Sequence, residues 1–276
     1  MEIRKRKLTD ISLNFDLKDQ VILVTGATGY LGQAITNGIA KMGGIPVLIG
    51  RRARELNILA EDIRKQDREV DVACYDLLQK ESYQLIIGQV SEKFGKLNGI
   101  VNCAHSGRPG TIQSADQNDF ELAQKINLNA PFFLVQEGLE LLKRTAKVSS
   151  GGASVVNIAS MYGQVSPDPR IYGNSGINNP PYYGAAKAGL IQLTRYMACH
   201  LGAYNIRVNS LTPGPFPPSS INDQSPKFHS NLCEKNPLGR IGSACEIVGP
   251  VIFLLSSASS FVTGANLAVD GGWTSW

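Results

Sequence analysis

A regular alternation of two kinds of segment runs from residue 20 to the C-terminus and restricts the fold more than any other feature. Short apolar, largely β-branched runs, typical of strands buried on both faces, alternate with longer amphipathic stretches typical of helices. This rhythm predicts a parallel sheet covered by helices on both sides. The predicted strands span residues 21–25, 45–49, 70–75, 99–103, 154–158, 206–211 and 267–269, and the predicted helices span 31–42, 54–66, 81–94, 119–145, 184–201 and 245–256.

The chain is long enough for one large core, since 43% of its 276 residues are hydrophobic. No break in composition and no internal repeat marks a second domain. We therefore expect residues 1–276 to form one α/β domain, a three-layer doubly wound Rossmann fold with a mainly parallel seven-stranded sheet and a basic N-terminal tail at 1–16. Two stretches rich in Pro, Ser, Asn and Gly follow strand ends, at 163–181 and 213–237, and we expect them to be loops on the substrate side.

Charge and cysteine content exclude several classes of partner. The formal net charge of +4 is too small to indicate a nucleic-acid surface. No apolar run is long enough to span a membrane, and no apolar segment follows the basic N-terminus as in a signal peptide, so we expect a cytoplasmic protein. Five cysteines and three histidines lack the spacing of a zinc site, and we expect no metal.

A glycine-rich turn follows the first predicted strand and opens the first predicted helix. Gly26, Gly29 and Gly32 allow the backbone to turn sharply and to approach a ligand closely. The N–H groups at the start of a helix favour a phosphate there, so the turn is a candidate pyrophosphate site. The whole turn supplies the candidate contacts Gly26, Thr28, Gly29, Tyr30, Leu31 and Gly32.

The end of the second predicted strand bears on the choice of dinucleotide. An acidic residue at this place would bind ribose hydroxyls and select NAD, whereas arginine accommodates the 2′-phosphate of NADP. Arg51 and Arg52 stand there. We therefore favour NADP(H), with Arg51 as the first candidate and Arg52 as the second, without excluding NAD(H); the alternative is that both arginines only cover the start of a solvated helix.

Tyr183 and Lys187 lie four residues apart and therefore share one face of a predicted helix. A tyrosine acting as acid or base near pH 7 needs its pKa lowered by about 3 units, or roughly 4 kcal/mol. A positive charge about 4 Å away supplies energy of that order at an intermediate dielectric constant. The pair alone also fits an exposed helix surface. Ser160, at the end of the fifth predicted strand, adds a hydroxyl at the expected ligand crevice.

Together these segments resemble the short-chain dehydrogenase/reductase family in its compact form, over roughly residues 17–273. The resemblance implies that Tyr183 is the general acid and base, that Ser160 holds the substrate oxygen, and that Lys187 lowers the pKa of Tyr183 and binds the nicotinamide ribose. It implies that Asn127 positions a water in a proton relay. Further cofactor contacts implied by the resemblance are Asp76, Leu77, Asn102, Ala104, Pro213 and Gly214, with Asp76 at the adenine and Asn102 supporting the sheet.

Several positions depart from the family pattern. Tyr30 stands where most compact members have glycine, Cys103 replaces an asparagine, and His105 replaces a glycine. His105 could reach substrate from its loop, although a histidine in a loop is often incidental. The segment between Ser160 and Tyr183 is longer than is usual, and we expect it to overhang the crevice or to cover a neighbouring subunit. It offers Arg170, Tyr172, Asn174, Ser175, Asn178 and Asn179.

These features predict an enzyme that interconverts a secondary alcohol and a ketone with NAD(P)(H), on a polar small molecule such as a sugar or polyol. One alternative is a 3-oxoacyl-thioester (acyl carrier protein) reductase, if Phe216, Ile221, Phe228 and Leu232 form an apolar tunnel. Another is a catalytically silent cofactor-binding protein. The resemblance also implies a homo-oligomer, a tetramer or dimer, formed through the helices at 124–142 and 183–201.

Overall fold

Seven parallel strands form one sheet in the computed structural model, which describes residues 14–175, 178–218 and 225–276. The strands are β1 (Val21–Thr25), β2 (Ile45–Gly50), β3 (Asp71–Cys74), β4 (Gly99–Asn102), β5 (Ala153–Ile158), β6 (Ile206–Pro213) and β7 (Asn266–Val269). Their order across the sheet is β3-β2-β1-β4-β5-β6-β7. Every neighbouring pair is parallel. The predicted doubly wound α/β fold is confirmed.

Helices cover both faces of this sheet. The α-helices of the described residues are α1 (Tyr30–Lys41), α2 (Ala53–Arg64), α3 (Glu81–Phe94), α4 (Gln117–Gln124), α5 (Ala130–Glu137), α6 (Leu139–Val148), α7 (Pro169–Tyr172), α8 (Pro181–Leu201), α9 (Pro226–Lys235) and α10 (Val248–Leu255). A π-helical turn (Lys125–Asn129) joins α4 to α5. Short 3₁₀ turns are at Met161–Gly163, Gly202–Tyr204, Ala244–Ile247 and Ser257–Ser259.

The central strands are buried on both faces because each sends alternate side chains into a different core. Along β1, Val21 and Leu23 pack into one core, with side chains of α3, α5, α6 and α8. Ile22 and Val24 pack into the other, with side chains of α1, α2 and α10. This double burial explains why the strands are nearly continuous apolar runs in the sequence.

One long helix predicted for residues 119–145 is wrong in detail, because the structure divides it into α4, the π-helical turn, α5 and α6. Pro131 lacks the N–H that would bond to the carbonyl of Asn127 in a continuous α-helix. The turn widens just before it, and the N–H of Ala130 bonds to the carbonyl of Lys125 instead. A second break falls at Gly138, where α5 ends and α6 begins.

The two predicted loops contain short helices. The described part of 163–181 includes α7, and that of 213–237 includes α9. These helices meet around a small apolar cluster that includes Ile171, Leu232 and Trp273. The N-terminal tail up to residue 13, residues 176–177 and residues 219–224, with Ile221 among them, lie outside the described residues.

The strand order reverses at the centre of the sheet, where β1 lies between β2 and β4. Chain segments leaving β1 and β4 therefore cross to opposite sides and leave a crevice at the carboxyl ends of the strands. The glycine-rich turn after β1 and the segments after β4 and β5 all reach this point.

Candidate active site

A crevice of about 730 Å³ lies at the carboxyl ends of β1, β2, β4, β5 and β6. It brings together the residues predicted for the dinucleotide and those predicted for catalysis. Asn102 and Asn127 are the predicted site residues that do not belong to its wall. The predicted residues that line it are Gly26, Thr28, Gly29, Tyr30, Leu31, Gly32, Arg51, Arg52, Asp76, Leu77, Ala104, Ser160, Tyr183, Lys187, Pro213 and Gly214.

The glycine-rich turn packs too closely for side chains at two of its glycines. Gly26 has a φ of +66°, and a Cβ there would lie 2.8 Å from the Cα of Ala104. A Cβ on Gly32 would overlap the carbonyl oxygen of Gly26. Helix α1 begins directly after Gly29 and has no acidic residue in its first turn. An unneutralised helix N-terminus beside bare backbone fits the diphosphate of a dinucleotide.

The two arginines after β2 have different partners. Arg52 is fixed on the glycine-rich turn, since its guanidinium donates to Oγ1 of Thr28 at 2.9 Å and lies 3.6 Å from the Glu55 carboxylate. The side chain of Arg51 is 68% exposed, and its guanidinium lies 3.8 Å from the carboxylate of Asp76. Turning Arg51 toward a phosphate would therefore break fewer contacts than turning Arg52. Arg51 stays the first candidate for the 2′-phosphate.

Ser160, Tyr183 and Lys187 meet at the far end of the crevice. Ser160 caps the 3₁₀ turn after β5, where its Oγ accepts the N–H of Tyr162 at 3.2 Å. Tyr183 lies in the first turns of α8 and is hydrogen-bonded to Ser160. Lys187, one turn later, is buried, and its Nζ donates to the carbonyl of Ile158 at 2.7 Å. Helix α8 thus delivers a phenol and an ammonium to the end of β5.

Burial is the largest cause of the pKa shifts of Tyr183 and Lys187. It raises the pKa of Tyr183, while the hydrogen bond from Ser160 opposes the rise and nearby Cys103 adds to it. Lys187 is not among the causes of this shift, and the lowering of the Tyr183 pKa that the resemblance implies for it stays a prediction. The Lys187 Nζ lies 5.7 Å from the centre of the phenol ring, and burial lowers its own pKa to about 8. Desolvation is the largest cause of both shifts.

Asn127 lies beside the crevice, where its side chain is engaged with the loop after β4. Its Nδ2 donates to the carbonyls of Ser106 and Ala123 at 2.7 and 2.9 Å. Its Oδ1 accepts the N–H of Ser106 at 3.2 Å. Both N–H groups of the amide are used, so the side chain fixes this loop. The resemblance implies that Asn127 positions a water in a proton relay, and this role stays a prediction.

Asn102 supports the sheet from behind the crevice wall. Its Nδ2 donates to Oδ1 of Asn157 at 2.8 Å, and Nδ2 of Asn157 donates in turn to Oγ1 of Thr194 at 2.8 Å. All three side chains are buried. The chain of hydrogen bonds joins β4, β5 and α8, and so fixes the helix that carries Tyr183 relative to the sheet.

Sequence reasoning missed residues that shape the loop after β4. Oγ1 of Thr25 accepts the N–H groups of Cys103 and Ala104, each at 3.0 Å. The hydroxyl of Tyr182 donates to the carbonyl of Arg108 at 2.9 Å. A threonine immediately before the first glycine and a tyrosine beside Tyr183 were the available signals. Thr25 and Tyr182 form hydrogen bonds with residues far away in the sequence, and no local sequence pattern predicts such bonds.

The long segment between Ser160 and Tyr183 packs against α9. The rings of Tyr172 and Phe228 lie 5.3 Å apart, and Nδ2 of Asn231 donates to the carbonyl of Ile171 at 2.8 Å. Arg170 is paired with Asp168 at 2.7 Å. Among the described residues of 163–181, none belongs to the crevice wall. Contact between this segment and a substrate stays a prediction.

No helix in residues 14–175, 178–218 and 225–276 is both long and apolar enough to cross a membrane. In the same part of the chain, no three His, Cys, Asp or Glu side chains are grouped as a metal site requires.

Comparisons with known proteins agree with this geometry. Residues 26–274 match the profile of a family described as enoyl-(acyl carrier protein) reductase. The NADH-dependent L-xylulose reductase of Ambrosiozyma monospora is 31% identical over 285 residues, covering 98% of this chain and 100% of that protein. A gluconate 5-dehydrogenase from Burkholderia cenocepacia J2315, solved in complex with NADP and tartrate, has a TM-score of 0.86 at 26% identity and covers 97% of this chain and 100% of that one.

A solved short-chain type dehydrogenase/reductase from Mycobacterium marinum has a TM-score of 0.84 at 25% identity, over 96% of this chain and 99% of that one. The likeness therefore extends over the whole fold and includes the segments that form the crevice. The family profile spans the same elements, from Gly26 of the glycine-rich turn to Thr274 after β7. This chain belongs to the short-chain dehydrogenase/reductase family of oxidoreductases.

Proposed function

We propose that the chain is an NADP(H)-dependent oxidoreductase that interconverts a secondary alcohol and a ketone, on a polar substrate of the sugar or polyol type. The observation that carries the proposal is the convergence of Ser160, Tyr183 and Lys187 in one crevice with the glycine-rich turn. The proposal takes residues 1–276 as one domain of a cytoplasmic homo-oligomer.

The cofactor, when bound, supplies or takes up the hydride, and the protein supplies orientation and proton transfer. In this proposal the hydroxyl of Ser160 holds the substrate oxygen. The phenol of Tyr183 donates its proton to that oxygen during reduction and takes it back during oxidation. Because burial raises the pKa of Tyr183, the phenol is kept in its protonated form, which suits the reductive direction.

We assign Lys187 two tasks. Its ammonium, buried within one helical turn of Tyr183, favours the anionic form of the phenol after the proton has left. It also contacts the nicotinamide ribose. The residues of the crevice fit a dinucleotide, since Gly26, Gly29 and Gly32 line it and the N-terminus of α1, which has no acidic residue in its first turn, lies beside them.

A polar substrate is supported by the side chains around Tyr183. Ser106, His105 and Ser160 offer hydrogen-bonding groups in the same crevice. The names of the compared proteins, an L-xylulose reductase and a gluconate 5-dehydrogenase, point to the same substrate class.

The reaction is tested by replacing the proton donor. We expect the wild type to oxidise NADPH in the presence of a polyhydroxy ketone such as L-xylulose. Tyr183→Phe should lower kcat at least about a hundredfold, because the general acid is lost. Its affinity for NADPH, measured by fluorescence titration, should stay within about twofold of wild type. Tyr204→Phe, on an exposed tyrosine outside the crevice, is the control. Unchanged kcat in Tyr183→Phe would contradict the mechanism.

The cofactor preference has its own test. We expect wild type to have a higher kcat/KM with NADPH than with NADH. Arg51→Ala should lower kcat/KM for NADPH about tenfold or more and leave that for NADH nearly unchanged, because a charged hydrogen bond to phosphate is lost. Arg54→Ala, which removes an exposed guanidinium outside the crevice, is the matched control. A wild-type preference for NADH would reverse the assignment.

A 3-oxoacyl-thioester reductase is the second candidate, favoured by the acyl carrier protein named in the family profile and by Phe216 in the crevice wall. Against it, Phe228 and Leu232 pack into the apolar cluster beneath α9 and do not line the crevice. Acetoacetyl-CoA belongs in the same assay as L-xylulose. Faster reduction of the thioester would favour this second candidate.

A further inference from the structure

His105 lies in the crevice opposite the proposed proton donor. Its ring centre is 6.4 Å from that of Tyr183, with the two rings nearly perpendicular at 80°. It shares the crevice wall with Ser160 and Lys187. The mechanism above uses the other three side chains and assigns no task to this imidazole.

The loop that carries His105 is fixed on both sides. Immediately before it, the N–H groups of Cys103 and Ala104 are bonded to Oγ1 of Thr25. Immediately after it, the amide of Asn127 bonds to both the N–H and the carbonyl of Ser106. Two other elements, β1 and the π-helical turn, thus fix the backbone on either side of His105. The backbone that carries the imidazole is therefore positioned before a ligand arrives, and the ring lies edge-on to that of Tyr183.

Both ring nitrogens of His105 are available for hydrogen bonds to a ligand. Within residues 14–175, 178–218 and 225–276, neither ring nitrogen of His105 has a hydrogen-bond partner. Partial removal from water and the charge of Lys187 lower its pKa, which favours the neutral ring at neutral pH. A neutral imidazole has one donor and one acceptor, and so matches a hydroxyl group, which is also both.

We propose that His105 binds a hydroxyl on the carbon next to the reacting carbonyl, and thereby selects α-hydroxy ketones and the corresponding vicinal diols. This inference rests on the proposed function. The carbonyl oxygen is held between Ser160 and Tyr183, so a neighbouring hydroxyl on the side of Tyr183 that faces the loop meets His105. His105 is in this view a specificity residue and takes no part in proton transfer to the carbonyl.

A pair of ketones that differ by one hydroxyl tests the assignment. The pair is 2-hydroxycyclohexanone and cyclohexanone, each reduced with NADPH by wild type, His105→Leu and His105→Gln. For His105→Leu we expect kcat/KM to fall about tenfold for the hydroxy ketone and to change less than about twofold for cyclohexanone, because one hydrogen bond is lost. Glutamine keeps a donor and an acceptor, so His105→Gln should retain at least about a third of wild-type kcat/KM for the hydroxy ketone.

His200→Leu is the matched control, since the centre of the His200 ring lies 4.2 Å from that of Tyr196, with the rings tilted by 38°, and His200 is outside the crevice wall. It should leave both ketones unaffected. If His105→Leu does not fold, as judged by thermal unfolding, His105→Ala replaces it in the comparison.

The outcomes separate this inference from the proposed function. A wild type that reduces neither these ketones nor L-xylulose would overturn the proposed function, and the inference with it. If wild type reduces the two ketones, and the kcat/KM of His105→Leu falls by the same factor for both or falls for neither, the inference alone is overturned.

Discussion

At the scale of single residues, desolvation shifts the pKa values of the groups in the crevice. Lys187 is buried with a single backbone carbonyl as its hydrogen-bond acceptor, and its pKa falls to about 8. Cys103, beside it, has its pKa raised to about 11 by burial, with the charge of Lys187 acting in the opposite direction. Such perturbed groups cluster at functional sites because they are not arranged for stability.

The pKa of Lys187 makes stability depend on pH in a definite direction. Below about pH 8 both the folded and the unfolded chain hold the proton. From there up to the ordinary lysine value the unfolded chain holds a proton that the folded chain has lost, so stability rises with pH. Between pH 7.5 and 9 the free energy of unfolding of wild type should therefore rise by about 1 kcal/mol relative to Lys187→Met.

Urea denaturation of both proteins at each pH measures this difference. The comparison cancels the titration of other groups, and it cancels the cost of leaving the Ile158 carbonyl without its donor, which is independent of pH. Lys187→Arg, which stays charged, is the control and should show no such rise relative to Lys187→Met. A constant difference between wild type and Lys187→Met across this range would contradict the prediction.

At the scale of elements, the sequence predicted which segments are strands and helices better than where the helices break. The strands follow from short apolar runs, and the central strands β1, β4, β5 and β6 are buried along their whole length. The break before α5 depends on Pro131 and on the bonds that Asn127 makes to a distant loop. The amphipathic pattern continues through this break. It indicates which face of a helix is buried, but not which backbone hydrogen bonds form.

The glycine-rich turn is the element in which sequence and structure agree most closely. Gly32→Ala should displace the turn, since the added methyl group would overlap the carbonyl oxygen of Gly26. We expect the Kd for NADPH to increase at least about tenfold, together with a lower Tm. Calorimetric titration and thermal unfolding measure the two effects.

Gly88→Ala is the matched control, because a Cβ at this position in α3 meets no heavy atom within 4 Å. It should raise stability by about 0.5–1 kcal/mol through helix propensity and leave cofactor affinity unchanged. If both alanine variants bind NADPH like wild type, the turn is not the diphosphate site.

At the scale of the whole molecule, an apolar face between α5 and α8 is left uncovered in the monomer. Tyr196 is 54% exposed and Phe133 is 43% exposed. Together with Leu128, Phe132 and Leu193 they surround a groove of about 510 Å³. Exposed apolar surface of this kind is typical of an interface between subunits. Such a contact would stabilise the helix that carries Tyr183 and Lys187.

We expect wild type to be a tetramer or dimer by light scattering, and Tyr196→Glu to shift it toward smaller species, because a charge at a buried contact is costly. Leu85→Glu, a similar change at a similarly exposed position of α3, is the control. Circular dichroism verifies that both variants are folded. A monomeric wild type, or an unchanged mass for Tyr196→Glu, would contradict the prediction.

The sequence by itself determined the order of strands and helices along the chain and the place of the glycine-rich turn, and it singled out Ser160, Tyr183 and Lys187 as candidates that share one crevice, because each depends on local spacing or on a motif. Only the tertiary structure decided the pKa shifts and the loop contacts. Thr25 and Asn127 hold the loop of His105, and Tyr172 packs on Phe228, in each case across a long distance in the sequence. The raised pKa of Tyr183 likewise depends on residues that only the fold brings near it. Desolvation and long-range hydrogen bonds depend on what surrounds a side chain, and that is fixed only when the chain has folded.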